Sequence, residues 1–248
     1  MGIYGCPEKL MCGHALIVNL HIGMNQKSPM KINNIFKSIS GEVNGLMQGR
    51  LTTFVRLQGC NLNCSYCDTP ESINRLHAPI NISIIEIADR IRTIPCFSHV
   101  CFTGGEPLLQ LNALKELIAV LYTLGFNISV ETNGSINPFG LTGRWQTVDS
   151  WVVDYKLKSS GYYNHMDEHI HIHLIETDFV KFVIGDHEDL ELAMRIQKDL
   201  VARGCKANFA YSPMHHKFSP KELFNNLVAN GIEDAIINVQ MHKYLDME

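Results

Sequence analysis

The segment Cys60-Asn61-Leu62-Asn63-Cys64-Ser65-Tyr66-Cys67-Asp68-Thr69 packs three of the chain's eight cysteines into eight residues. Their spacing is Cys-x3-Cys-x2-Cys. Three thiols cannot pair into disulfides without a remainder, and they fall one short of a four-cysteine zinc site. They suit a cubane iron–sulfur cluster in which the protein holds three irons and leaves the fourth open to a small molecule. The residues just before the first cysteine, 52–57, are rich in β-branched side chains and stop at Gly59. The cysteine loop therefore reads as the extension of a strand end.

Moving outward, strand and helix signals alternate. Residues 31–36 predict a strand and 38–42 a loop. Ser83 with Glu86 three positions on predicts a capped helix, whose apolar face is Ile84, Ile87, Ala88 and Ile91. Residues 99–103 predict a strand ending at Gly104-Gly105-Glu106-Pro107, and the helix after it carries Leu111, Leu114, Leu117, Ile118 and Leu121 and stops at Gly125. Further strands are expected at 126–131, 151–153, 177–184, 205–210 and 235–240. Helices are expected after Asp186 and after Ser219-Pro220. Short connectors between strands and helices imply parallel βα units with right-handed crossovers. About seven strands but four firm helices are fewer than a closed eight-fold barrel needs. The expected fold is α/β, a partial (βα) barrel with its site at the C-terminal strand ends.

Composition narrows the possible roles. A formal net charge of -4 without a basic run argues against broad nucleic-acid binding. No apolar run approaches the ~20 residues that span a bilayer. Eight cysteines beside a cluster motif point to a reducing, cytoplasmic setting. Residues 1–29 lack periodicity and read as a loose extension, with the start of the domain at residue 30. Cys6 and Cys12 in that extension have no partners at ligand spacing.

The cysteine loop with Tyr66 before its third thiol, together with Thr103-Gly104-Gly105-Glu106-Pro107, resembles the radical S-adenosylmethionine (SAM) enzymes. The resemblance narrows with Cys67-Asp68-Thr69, the loop 38–42, the run from Phe54 to Cys60, Glu131-Thr132-Asn133-Gly134 and the closing Gln240-Met241-His242-Lys243-Tyr244-Leu245. Together these look like the 7-carboxy-7-deazaguanine synthase family, which serves 7-deazapurine and queuosine synthesis. The likeness spans about residues 30–246.

That resemblance implies a ring contraction of 6-carboxy-5,6,7,8-tetrahydropterin to 7-carboxy-7-deazaguanine with loss of ammonia. It implies a 4Fe-4S cluster on Cys60, Cys64 and Cys67, which reduces SAM to a 5′-deoxyadenosyl radical that is later returned. It implies Mg2+ on Thr69, a hydroxyl assisted by substrate and water oxygens. SAM contacts would come from Tyr66, Asp68, Gly105, Glu106, Glu131, Asn133, Asp154, Tyr155, Lys156, Tyr211, Ser212, Pro213 and Met214. Substrate contacts would come from Ile39, Ser40, Gly41, Glu42, Arg56, Thr103 and His242. Arg56 could grip the substrate carboxylate in two places, and Glu42 suits a guanidine-like edge. No general acid or base is named by the resemblance. The implied partners are a flavodoxin- or ferredoxin-type electron donor and a second copy of the chain.

Two departures stand out. Ser40 and Asp154-Tyr155 replace residues common in the family, which leaves Lys156 as the clean match and Asp154 free to pair with it. The nearest alternative is a glycyl-radical activating enzyme, which shares the cysteine spacing and the Gly-Gly-Glu-Pro segment. A non-catalytic iron–sulfur or zinc protein is the alternative from another class. His165, His169, His171 and His173 form a dense patch, and alternation over 169–173 predicts a solvated edge strand or loop. Cys96, Cys101 and Cys205 read as small buried hydrophobes.

Overall fold

A computed structural model describes residues 29–74, 80–94, 97–140, 143–232 and 234–247. The expectations for Cys6, Cys12 and Cys96 lie outside the described residues. The strands are β1 (Met30–Ile39), β2 (Leu51–Leu57), β3 (Ile80–Ile82), β4 (His99–Gly104), β5 (Asn127–Thr132), β6 (Ser150–Asp154), β7 (Phe179–Ile184), β8 (Asn208–Pro213) and β9 (Ala235–Ile237). They form one sheet in the order β3-β1-β2-β4-β5-β6-β7-β8-β9. Every pairing from β2 through β9 is parallel, and the ends do not meet, which makes the sheet a partial barrel.

Several strand expectations need correction, including β7, expected from 177 but starting at Phe179, and β9, expected to 240 but ending at Ile237. β1 is longer than expected and antiparallel to β2, so the barrel opens with a hairpin rather than a βα unit. β3 is an additional short edge strand, antiparallel to β1. β8 starts three residues later than expected, because the parallel register pairs Phe179 with Asn208 rather than with Cys205. The histidine patch is also not a strand. It contains a helical turn, Glu168–His171, in which Asp167 accepts the N–H of His169, and His171 is buried.

The helices form where their caps predict. α1 (Ile84–Arg92) begins at Ser83, whose hydroxyl accepts the N–H of Glu86. α2 (Leu111–Thr123) buries Leu114, Leu117, Ile118 and Leu121 against the sheet. Glu168–His171 is α3, and α4 (His187–Ala202) begins at Asp186, which accepts the N–H of Asp189. Ser219 caps α5 (Pro220–Ala229), and α6 (Met241–Tyr244) closes the described chain. Each such cap contributes about 1 kcal/mol.

Alternation along the strands sorts side chains to two faces. On β7, Val180, Phe182 and Ile184 join the large core under the helices. Phe179 points the other way and meets Val43, Val152 and Ala210 in a small apolar plug. One polar line crossing the sheet is fully paired. His99 meets the Thr52 hydroxyl at 2.8 Å and Ser129 at 2.7 Å, and burial pulls its pKa down to about 4, so it is neutral. Every βα connection leaves the C-terminal edge of the sheet, above the plug. The special residues collect there.

Candidate active site

The loop after β2 is fastened through its backbone. Gly59 N–H donates to Ser72 at 2.7 Å, Cys60 N–H to Ile73 at 3.1 Å, and Cys67 N–H to Cys64 at 3.1 Å. The loop after β4 then packs onto it: Gly105 N–H donates to the carbonyl of Leu57 at 3.1 Å, and Glu106 N–H to that of Gly59 at 2.8 Å. Gly105 is needed for this approach, since a Cβ there would stand 2.3 Å from the Gly59 carbonyl oxygen.

Above these loops lies a cavity of about 650 Å³. It is within the size of small-molecule sites. Cys60, Cys64 and Cys67 share its wall, and all three are free thiols. Among the described residues no three His, Cys, Asp or Glu side chains converge on a point that would hold one metal ion. The residues present fit a cluster instead, because a cubane takes one thiolate per iron and so needs its cysteines spread around it. Cys60 Sγ already accepts from Leu62 N–H at 3.4 Å and from Asn133 Nδ2 at 3.7 Å. Such bonds tune a bound cluster. Burial pushes the Cys60 and Cys64 thiols up, so without iron they stay protonated.

Next to the thiols, Glu106 is fully buried and its carboxylate does not line the cavity. This corrects the expectation that it meets SAM directly. The carboxylate accepts from Leu108 N–H at 2.9 Å, Thr132 Oγ1 at 2.8 Å and Asn133 N–H at 2.7 Å. It therefore shapes the strand ends that do line the cavity. Burial pushes its pKa up to about 7 despite those three donors.

Asp154 and Lys156 both face the cavity. Lys156 Nζ donates to Asp154 at 2.5 Å and lies 5.7 Å from the centre of the Tyr66 ring. Tyr155, between them, points the other way: it is buried and donates to Glu168 at 3.0 Å. Tyr211 is also turned away, donating to Gln197 of α4 at 2.6 Å, while Ser212, Pro213 and Met214 line the cavity. Alternation along β8 turns Tyr211 away, and Tyr155, one residue past β6, is held away by its bond to Glu168.

The opposite wall is built from charges. Glu42 accepts from Lys181 Nζ at 2.5 Å and from Gln240 Nε2 at 2.5 Å. Lys181 also reaches Asp154 at 3.1 Å. Burial alone would raise the pKa of Glu42, but the Lys181 charge and these hydrogen bonds outweigh it, and the carboxyl is held low. Glu131 is pushed up to about 7, first by burial and then by the charge on Glu42; Thr103 donates to it at 2.9 Å. Arg56 lies 4.8 Å above Phe36, which stacks on Phe54, and 3.6 Å from Glu71.

Ser40 is a further correction. Its side chain is buried and takes a 2.5 Å hydrogen bond from Asn44, so it supports the loop from behind while Ile39, Gly41 and Glu42 line the cavity. His242 seats directly on Gly41, where an added Cβ would stand 2.0 Å from its Nδ1. Met241 N–H donates to the Gly41 carbonyl at 2.9 Å. Lys243 donates to Asp68 at 2.7 Å, so the closing segment spans both walls. Thr69 lines the cavity with its hydroxyl 4.0 Å from Cys67 Sγ. Sequence reasoning missed Phe36, Lys181, Gln240 and Lys243. The signal for Lys181 was visible, a lysine within the apolar run Phe179-Val180-Lys181-Phe182-Val183-Ile184.

Comparison with known proteins agrees with this layout. Residues 54–142 match the Radical SAM superfamily. A 7-carboxy-7-deazaguanine synthase of Methanospirillum hungatei is 37% identical over 226 residues, 90% of this chain and 88% of that one. One from Clostridium acetobutylicum is 32% identical over 215 residues, 87% and 95% of the two chains. QueE from Escherichia coli shares the fold at a TM-score of 0.63 and 21% identity, over 93% of this chain and all of that one.

Proposed function

We propose a radical ring contraction for this chain, which belongs to the 7-carboxy-7-deazaguanine synthase family. The reaction converts 6-carboxy-5,6,7,8-tetrahydropterin to 7-carboxy-7-deazaguanine and ammonia. Atoms and electrons balance across the net reaction, and a reductant serves only to start the radical. As a radical SAM enzyme the chain works with a 4Fe-4S cluster and SAM, which when bound would supply the radical chemistry the ring contraction needs. Everything else falls to the cavity's own side chains.

The carrying observation is the pairing of walls. Three thiols face, across one cavity, an arginine on an aromatic pair, an ionised glutamate and a histidine. Arg56 holds the pterin carboxylate by charge, and the stacked Phe36–Phe54 pair fixes the guanidinium. Glu42 accepts the amide and amino hydrogens of the pyrimidinone edge. Gly41, Ile39 and Thr103 bound the ring, and His242 closes over Gly41.

On the cofactor wall, the Gly105 backbone, Asn133, Lys156 and the Tyr66 ring receive SAM, with Ser212, Pro213 and Met214 at its far end. Asp68 is tied to Lys243 and supports the cysteine loop from the mouth of the cavity. Thr69, whose hydroxyl lines the cavity, would be the residue that offers an oxygen to Mg2+, a hard cation that commonly accepts water and substrate oxygens as well. Glu131 is the carboxyl suited to proton transfer during loss of ammonia, because its pKa of about 7 lets it give and take a proton near neutrality. The enzyme works in the cytoplasm, as a homodimer, with a flavodoxin or ferredoxin as reductant.

The test is anaerobic turnover of the tetrahydropterin acid with SAM, reductant and Mg2+. Formation of the deazaguanine acid supports the reading. SAM cleavage without that product would assign the chain to another radical reaction, such as glycyl-radical activation. Absence of cluster absorption near ~400 nm would leave a non-catalytic protein.

A further inference from the structure

Lys181 occupies a position that packing alone would give to an apolar residue. It shares its strand face with Phe179 of the plug, and it is only 9% exposed. Its ammonium lies between a carboxylate of the loop after β1 and one at the end of β6, bonded to Glu42 at 2.5 Å and 3.1 Å from Asp154. Asp154 accepts in turn from Lys156, and Glu42 from Gln240. The result is one continuous chain of charged and polar groups: Lys156, Asp154, Lys181, Glu42, Gln240. It runs from beside the Tyr66 ring to the closing segment of the protein.

We propose that Lys181 is a positioning residue that sets pterin specificity: it aims the Glu42 carboxylate into the cavity and ties it to the Asp154–Lys156 pair on the cofactor side. The proposal rests on the reading of Glu42 as the partner of the pyrimidinone edge. That edge presents two adjacent N–H donors. An ionised carboxylate accepts both, whereas a protonated one offers a donor where an acceptor is needed. Lys181 takes one site on Glu42 Oε2, which Asn238 Nδ2 also approaches at 3.5 Å, and Gln240 takes one on Oε1, which leaves the second Oε1 site clear and the long Asn238 bond as the one a ligand N–H displaces.

Lys181 is also the charge that keeps this corner balanced. Glu42, Glu131 and Asp154 are three partly buried carboxyls facing two ammonium groups, Lys156 and Lys181. Cys101 of β4 lies against Glu131, and Arg56 of β2, Cys64, Tyr66, Cys67 and Asp68 of the cysteine loop and His242 with Lys243 of the closing segment add to the titratable surroundings. Removing Lys181 leaves Lys156 engaged with Asp154, so Glu42 and Glu131 are driven to share a proton. Glu42 then loses the charge that the pyrimidinone edge requires.

The experiment uses cluster-loaded protein, wild type, Lys181→Met and Lys181→Arg, with pterin-6-carboxylate as a fluorescent probe titrated between about pH 5 and 9. Wild type is expected to bind throughout. Lys181→Met should bind on the order of tenfold or more weaker at neutral pH, with its acidic limb moved up by about 1–3 pH units. Lys181→Arg should restore the wild-type limb, which a residue needed only for packing would not do. Equal affinity and an unmoved limb in Lys181→Met would overturn the proposal. If Lys181→Met does not retain its cluster absorption, Glu42→Gln/Lys181→Met removes the charge pair together. That protein should hold its cluster yet bind the probe weakly at every pH, and wild-type affinity in it would overturn the proposal. Failure of wild type to bind any pterin would instead remove the functional reading on which the proposal stands.

Discussion

The two walls of the cavity are made in different ways. The cofactor wall is a set of short loops, each following its own strand and fastened mainly by backbone hydrogen bonds, such as Glu106 N–H to the Gly59 carbonyl. The substrate wall is assembled from side chains far apart in the chain: Glu42 meets Lys181 across 139 positions and Gln240 across 198. The first wall should tolerate side-chain changes outside its ligands. The second should respond to the loss of any one charge or close contact. The contrast accords with a superfamily that shares its radical chemistry and differs in what it attacks.

The largest expected effect breaks the cofactor wall. Cys64→Ser should abolish cluster absorption and all SAM cleavage, with far-ultraviolet circular dichroism unchanged; retained cleavage would remove Cys64 from the ligand set. Next, Gly41→Ala forces His242 off its seat, because the new Cβ would stand 2.0 Å from the ring. Misplacement of that size should lower kcat/KM for the pterin on the order of 10²-fold. Pterin-independent SAM cleavage should stay near wild type. A parallel loss of both activities would show that the walls are not separable.

A third prediction concerns pH. Glu106 titrates at about 7 in the folded protein against 4.5 unfolded, so the native state binds the extra proton. The stability this supplies is complete below about pH 4.5 and is lost as pH rises through about 7, on the order of 3 kcal/mol. Glu106→Gln should flatten that part of the urea-unfolding profile. It should also cost about 1–3 kcal/mol at low pH, since an amide nitrogen would face the N–H donors of Leu108 or Asn133. An unchanged slope would place the titration elsewhere. The smallest effect belongs to Lys243→Ala, which removes a partly exposed ion pair with Asp68. It should shift stability by about 1 kcal/mol or less, read from the same unfolding curves.

The same contrast explains what was legible in the sequence. The cysteine loop, Gly104–Pro107 and Glu131–Asn133 are local patterns whose chemistry does not depend on distant partners. Their strand-end positions followed from alternating elements, as did the caps at Ser83, Asp186 and Ser219. Adjacency in the sequence predicts Tyr155 and Tyr211 in the cavity, but alternation along β8 turns Tyr211 to Gln197, and Tyr155, just past β6, turns to Glu168. Glu106 was read as a ligand contact because its motif is shared, yet burial makes it a brace for residues 132–133. Lys181 and Gln240 were missed because each acquires its meaning only when β7 and the closing segment meet the loop after β1. The antiparallel start of the sheet was equally hidden, since a hairpin with a long loop lacks a short turn signature.

The central claim is a ring contraction in which the radical is borrowed and returned. It is tested most directly by anaerobic turnover of 6-carboxytetrahydropterin deuterated at C6, with the deazaguanine acid, 5′-deoxyadenosine and recovered SAM all measured. The account predicts the deazaguanine product, much less than one 5′-deoxyadenosine per product, and deuterium in the recovered SAM. One 5′-deoxyadenosine released per turnover, or SAM cleavage without the deazaguanine acid, would contradict it.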